Sequence, residues 1–150
     1  MGKTIKVDVL KNNFKVYSKK AQLAYLAGLN DCIDNLVTAS SQSAPHDEGI
    51  LEKSWSKEIQ YAGNKPSGVV SYSVKKASGS GNYNYALKMH EGGYNLGEGS
   101  LAKQASGGGV GLSGKRYNVG AGFLGDVAKG ERKAYADHIE SKLHKAGRTL

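Results

Sequence analysis

The residues Tyr83-Asn84-Tyr85-Ala86-Leu87-Lys88-Met89-His90-Glu91-Gly92-Gly93 divide the chain into two differently patterned halves. Tyr83, Tyr85, Leu87 and Met89 alternate with Asn84, Ala86, Lys88 and His90. A period of two predicts a half-buried strand. His90 and Glu91 mark its exit, and the two glycines that follow permit a sharp turn. Upstream the pattern is a helix and then strands. Downstream it is a glycine-rich stretch and a second helix.

Working back from this stretch, Val70, Tyr72 and Val74 alternate with Ser71, Ser73 and Lys75 and predict another strand. A Ser/Gly turn over 77–82 joins the two. Leu51, Trp55, Ile59 and Tyr61 share one face of an earlier strand; Glu52, Ser54, Ser56, Glu58 and Gln60 share the other. Lys53 and Lys57 fall on the apolar face, so this strand is expected at a sheet edge or with mixed burial. Gly63-Asn64-Lys65-Pro66 reads as the turn after it. Three successive strands with short connections predict an antiparallel meander.

Residues 40–49 form a polar break. Pro45 lacks an N–H and restricts Ala44, so a helix must stop there. That helix is predicted over most of 14–40, with Asn12 or Asn13 as its cap. Leu23, Tyr25, Leu26, Ala27, Leu29, Cys32, Ile33, Leu36 and Val37 cover well over half its circumference. Gly28, Asp31, Asn35 and Thr38 form the remaining polar strip. A surface helix needs a stripe of roughly 100°. This one is therefore expected to be covered on two sides, by a sheet and either the second helix or another subunit. The single-chain arrangement is the more economical. Ile5, Val7 and Val9, alternating with Lys6 and Asp8, predict a short N-terminal strand.

Residues 92–122 contain eleven glycines in thirty-one positions. Such a content is expected to defeat a regular helix or packed strand. Residues 93–115 therefore read as an extended loop, and a loop this long is usually functional or ordered by a partner. Tyr94, Leu96, Leu101, Val110 and Leu112, with Lys115 and Arg116, are its candidate partner contacts. Leu124, Val127, Ala128, Tyr135, Ile139 and Leu143 recur at helical spacing and predict a second helix over 123–146. Gly130 is expected to delay or kink it, and Gly147 sits where a C-cap would.

One domain is expected of 150 residues. Lys and Arg number 21 against 13 Asp and Glu, a net +8. The excess is uneven. Residues 1–20 carry six lysines against Asp8, a net +5; residues 129–150 carry six basic residues against three acids, a net +3. Such a balance suits an anionic partner, whether nucleic acid, a membrane surface or an acidic protein face, or serves solubility alone. Cys32 is the one cysteine, so an internal disulfide and a multi-cysteine zinc site are excluded. No apolar run approaches about 18 residues, and the N-terminus lacks the apolar stretch of a signal peptide. The expectation is a chain made in a cytoplasm, with no membrane partner.

No motif for catalysis is complete. Gly109-Val110-Gly111-Leu112-Ser113-Gly114-Lys115-Arg116 approaches the phosphate-binding pattern G-x-x-x-x-G-K-S/T. Arg116 replaces the magnesium-binding hydroxyl, no strand is predicted before it, and no helix follows it at once. His46-Asp47-Glu48 and His90-Glu91 lack metal-ligand spacing. No G-x-S-x-G elbow occurs. No catalytic residue, metal or cofactor is expected. Nucleic-acid binding has the charge but no zinc-finger or RNA-recognition signature. Most of the nine tyrosines fall at positions read as core-facing in strands, which favours packing over base stacking.

Three blocks, in order, resemble the small tail-completion or minor capsid proteins of tailed phages and prophages. Ala44-Pro45-His46-Asp47-Glu48-Gly49-Ile50-Leu51-Glu52-Lys53-Ser54 resembles that family's A-P-x-D-x-G-x-L-x-x-S, which ends the first helix. Tyr85-Ala86-Leu87-Lys88-Met89-His90-Glu91-Gly92 is similar to its Y-A-x-x-x-H/E-x-G strand end. Tyr117-Asn118-Val119-Gly120, followed by Phe123-Leu124, resembles the return from the loop into the last helix. The blocks span residues 44–124. Glu48 stands where the family often has a small residue, and residues 93–115 are longer and richer in glycine than its pattern.

The resemblance implies an α+β fold: a small antiparallel sheet with a long N-terminal helix across it and a C-terminal helix, to which this chain adds its Gly-rich loop. It implies a non-enzymatic virion protein, made in the host bacterial cytoplasm. Such a protein assembles as a six- or twelve-fold homo-oligomeric ring at the head–tail neck. The implied partners are the portal or adaptor and the tail terminator or tail tube. Genome DNA in the channel is a further expected partner, with Lys3, Lys6, Lys11, Lys15, Lys19 and Lys20 as the residues facing it. The rival readings are a basic nucleic-acid-binding protein of a mobile element and a tail terminator or head-closure protein of the same neck.

Overall fold

The computed structural model describes residues 5–8, 18–46, 49–62, 65–78 and 81–148. The long helix, α1, spans Lys19–Ser43. Ser18 is its N-cap and accepts a hydrogen bond from the Ala21 N–H at 3.1 Å. A serine there satisfies one of the amides that a helix start leaves unpaired. Asn12 and Asn13 lie outside the described residues. At the other end Ala44 is extended, with ψ 139°. That is the conformation a following proline imposes.

Strands β1 (Ile5–Asp8), β2 (Trp55–Ala62) and β3 (Lys65–Tyr72) make an antiparallel sheet in the order β1-β3-β2. Val70 of β3 stands opposite both Val7 and Lys57. β2 is an edge strand, one of the two arrangements expected from the lysines, and Lys57 forms an ion pair with Asp34 of α1. Several readings are corrected. Leu51 and Glu52 precede the strand in a 3-10 turn, Leu51–Lys53, with Leu51 fully buried. Lys65 and Pro66 belong to β3, paired with Ala62 and Tyr61; Gly63 and Asn64 lie outside the described residues.

The meander is not formed, because the chain leaves the sheet after β3 and β1 takes the third place. Strands β4 (Lys75–Ser78) and β5 (Gly81–Asn84) make a separate ribbon. Ala77 and Asn82 are thus paired strand residues rather than turn residues.

The strand read through Tyr83–His90 ends at Asn84. Asn84 Oδ1 accepts from the Leu87 N–H at 3.3 Å and caps a helix, α2, over Tyr85–Glu91. Tyr85 and Ala86 are buried, Met89 and His90 are half-buried, and Lys88 and Glu91 are exposed. That is a helical spacing. In so short a window Tyr85 and Met89 fit either period, as i and i+4 of a helix or as alternate residues of a strand.

Residues 92–122 are not a featureless loop either. They contain helix α3 (Glu98–Ala105) and a hairpin of β6 (Gly109–Val110) and β7 (Arg116–Tyr117). The glycines cluster at the joints. Gly107 and Gly108 leave α3 with φ of 109° and 65°, and Gly114 turns the hairpin with φ of 88°. These are values that other residues rarely adopt. The C-terminal helix is broken, as Gly130 implied, into α4 (Gly125–Gly130) and α5 (Arg132–Arg148). It runs past Gly147, which is therefore no cap.

The fold is α+β, with α1 packed across the sheet. One side of α1 meets β3, where Gly68 lacks the side chain that would collide with Ile33. The other meets α5, where a Cβ on Gly28 would lie 3.1 Å from Ile139 Cγ1. The second helix of the same chain thus supplies the second cover. Leu29, Cys32, Ile33 and Leu36 form the core with Val70, Tyr72, Phe123, Leu124, Tyr135 and Ile139. Tyr72 and Phe123 meet edge to face at 5.1 Å. Among the residues whose burial is described, the buried tyrosines Tyr25, Tyr85 and Tyr135 are on helices and Tyr72 and Tyr117 are on strands.

Candidate functional site

The glycine-rich segment is fastened at three places by polar side chains, from Glu131, from α1 and from its own Lys103. The first is Glu131, at the break between α4 and α5, which is fully buried. It accepts from the Ser113 N–H at 2.7 Å, the Ser113 hydroxyl at 2.6 Å and the Tyr117 hydroxyl at 2.7 Å. Burial would push its carboxyl up. The bonds from Ser113 and Tyr117 and the charge of Lys115 outweigh this and hold it below the usual carboxylate range. Gly130 leaves room for the Tyr117 hydroxyl, and Gly111 leaves room for the Glu131 carboxylate itself.

The second fastening is α1. Asn35 Oδ1 accepts from the Leu112 N–H at 2.9 Å and the Tyr135 hydroxyl at 2.8 Å. Ser43 accepts from the Gly109 N–H at 3.1 Å and donates to the Tyr117 carbonyl. The predicted polar strip of α1 is therefore a docking line for the hairpin and α5, and Asp31 on it meets His138 at 2.8 Å.

The third fastening holds α3. Lys103 donates to the Ser41 carbonyl at 2.9 Å, the Ala44 carbonyl at 2.5 Å and Glu52 at 2.9 Å. A cation at the carboxyl end of α1 also complements the helix dipole. Burial would raise the Glu52 carboxyl. Hydrogen bonds and charge from Lys103 and His46 lower it instead. The Ser100 hydroxyl accepts from the His46 N–H at 2.8 Å.

The three blocks that carry the resemblance come together. The Gly120 N–H donates to the Ser43 carbonyl at 3.0 Å, beside the first block. The His90 carbonyl accepts from the Gly122 N–H at 2.8 Å, and His90 Nε2 accepts from the Gly125 N–H at 3.0 Å. The His90 ring meets Phe123 edge to face at 5.2 Å.

While Lys103, Gln104 and Ser100 bond inward, the segment directs several apolar groups outward. Leu101 is 53% exposed, Leu112 41% and Val110 37%. Lys115 and Arg116 are exposed beside the last two. Lys115 Nζ lies 5.4 Å from the centre of the Tyr117 ring, and the Arg116 guanidinium lies over Gly107. Two candidate contacts turn inward instead. The Tyr94 hydroxyl donates to the Met89 carbonyl at 2.7 Å, and half-buried Leu96 faces Gly120. Both were read from an extended chain, and the folded one uses them to tie α2 to the return segment.

Of the DNA-facing candidates, Lys19 and Lys20 are exposed in the first turn of α1. Lys6 is in β1, and Lys3, Lys11 and Lys15 lie outside the described residues. Gly109–Arg116 is a strand–turn–strand preceded by a helix, the wrong surroundings for a phosphate loop. Among the described residues, no three His, Cys, Asp or Glu side chains converge as a metal would need.

Sequence reasoning missed Glu131, Ser113, Lys103 and Glu52. The one available signal was a charge, Glu131, next to a glycine inside a helical pattern. Comparisons with protein-family models, curated proteins and solved structures find no match to this chain.

Proposed function

We propose that this chain is a structural protein of a tailed phage or prophage particle. In this reading it forms a ring at the head–tail neck that joins the tail to the portal or adaptor. One observation carries the reading. The glycine-rich segment is hydrogen-bonded to Asn35, Glu131 and Gln104 through the Leu112, Ser113 and Val119 amides and still directs Leu101, Val110 and Leu112 into solvent. Apolar groups held outward on a fixed frame favour a protein partner. The resemblance in residues 44–124 supplies the kind of partner: copies of the chain and the neighbouring neck proteins.

The test is deletion of the gene from the phage or prophage that carries it. Filled heads and separate, complete tails are expected by electron microscopy, with joining restored by the wild-type chain in trans. Normal yields of joined particles without the protein would overturn the reading.

The net +8 and the exposed Lys19 and Lys20 favour a second reading, a nucleic-acid binder of a mobile element. A gel shift with duplex DNA across a salt series separates the two, because phosphate-driven binding weakens steeply with salt. Salt-sensitive binding at submicromolar protein, together with unaffected particle joining, would favour that reading.

A further inference from the structure

The outer face of α3 and the outer side of the β6–β7 hairpin are opposite in charge. On α3, Glu98, Leu101, Ala102 and Ala105 are exposed at i, i+3, i+4 and i+7. They make one continuous stripe. The helix's only cation, Lys103, is turned inward onto Glu52 and the end of α1. The stripe is therefore apolar with one negative charge, and its two alanines admit a close neighbour. On the hairpin, Val110 and Arg116 are exposed cross-strand partners and Leu112 is exposed in the turn, whereas Lys115 leans over Tyr117 on the other side of the strand and Glu131 is buried beneath. The side that carries Val110 is apolar with one positive charge, Arg116.

We infer that the α3 stripe of one copy of this chain seats on the β6–β7 hairpin of the next, with Leu101 against Val110 and Leu112 and with Glu98 facing Arg116. The charges select a second copy over a partner of either single sign, since each chain carries both halves of the contact. Repeated from copy to copy, such a head-to-tail contact closes a ring or extends as a filament. The inference rests on the proposed ring for its setting and adds the surfaces that would close it.

Charge exchange in the full-length protein tests the contact. E98K alone, and R116E alone, should each weaken self-association at least about tenfold by sedimentation, because like charges then face each other. A 1:1 mixture of the two variants should associate again, since each supplies what the other lacks. All the altered side chains are exposed, and circular dichroism checks that the variants fold.

A second measurement reads proximity. L101C and L112C chains, mixed and mildly oxidised, should cross-link to each other several-fold more than to themselves. Cys32 should stay out of the reaction, being buried with its thiol pushed up to about 12 by burial first and by Asp31.

Association untouched by either charge reversal, or no preference for the mixed cross-link, would overturn the contact. If joining of heads to tails still depended on the protein, the neck reading would stand without it. A mixed product that stops at two copies would keep the contact and remove the ring.

Discussion

Glu131 carries a charge into a position without solvent and is matched there by three donors. Truncating it strands the Ser113 and Tyr117 groups with nothing to bond. Glu131→Ala is expected to lower stability by about 3 kcal/mol in urea unfolding, with Glu131→Gln falling between it and the wild type. The glycines separate in the same way. A Cβ at Gly109 would run into the Ala39 carbonyl, whereas one at Gly97 would meet nothing within 4 Å. Gly109→Ala should cost about 2 kcal/mol or more. Gly97→Ala should stay within about 0.5 kcal/mol of wild type in the same measurement. None of this difference is visible in the sequence. Eleven glycines look alike until the atoms opposite each of them are known.

At the level of elements, the junction of α2 with α4 depends on His90 accepting through Nε2. That bond needs the ring nitrogen unprotonated. Burial lowers the His90 pKa, against the opposing charges of Asp126 and Glu91. The unfolded chain, with a value near 6.5, therefore takes up the proton first. Stability from this site is present above about pH 6.5 and is lost as pH falls through the lower folded value. Glu52 and Glu131 are also lowered, from a carboxyl value of 4.5, so their share is lost only below about pH 4.5. Chemical denaturation across pH 3–8 should show two separate declines, and His90→Gln should flatten the upper one alone.

The same junction shows what the sequence could and could not convey. The amphipathic span of α1 and the stop at Pro45 were legible because each depends on neighbours in the chain. The break at Gly130 was legible for the same reason. The switch at Asn84 was not. A helix of seven residues offers too few positions to separate a period of 3.6 from one of two, and a capping asparagine also reads as strand-edge chemistry. For the candidate site, Leu101, Val110 and Leu112 were identifiable as apolar residues in a polar stretch. Tyr94 and Leu96 carried the same signal yet face inward, because only the fold decides direction.

Across the molecule, residues 93–117 are tied to α1, to the α4–α5 break and to the return segment. Brief trypsin or subtilisin digestion of the free protein should spare 93–117 about as well as α1. Early cuts at Lys103, Lys115 or Arg116, read by mass spectrometry, would show that the frame needs a partner to form.

The edge position of β2 has a consequence for how the protein survives at high concentration in a cell. Trp55, Ile59 and Tyr61 alternate along a strand with an open rim, the kind of border on which amyloid-like stacking begins. Lys57 interrupts that row and is held there by Asp34. A cation in the middle of such a row acts as a gatekeeper. Lys57→Val, although better suited to a strand, should leave the monomer folded and yet drive it into inclusion bodies, with thioflavin-positive deposits forming from the concentrated protein.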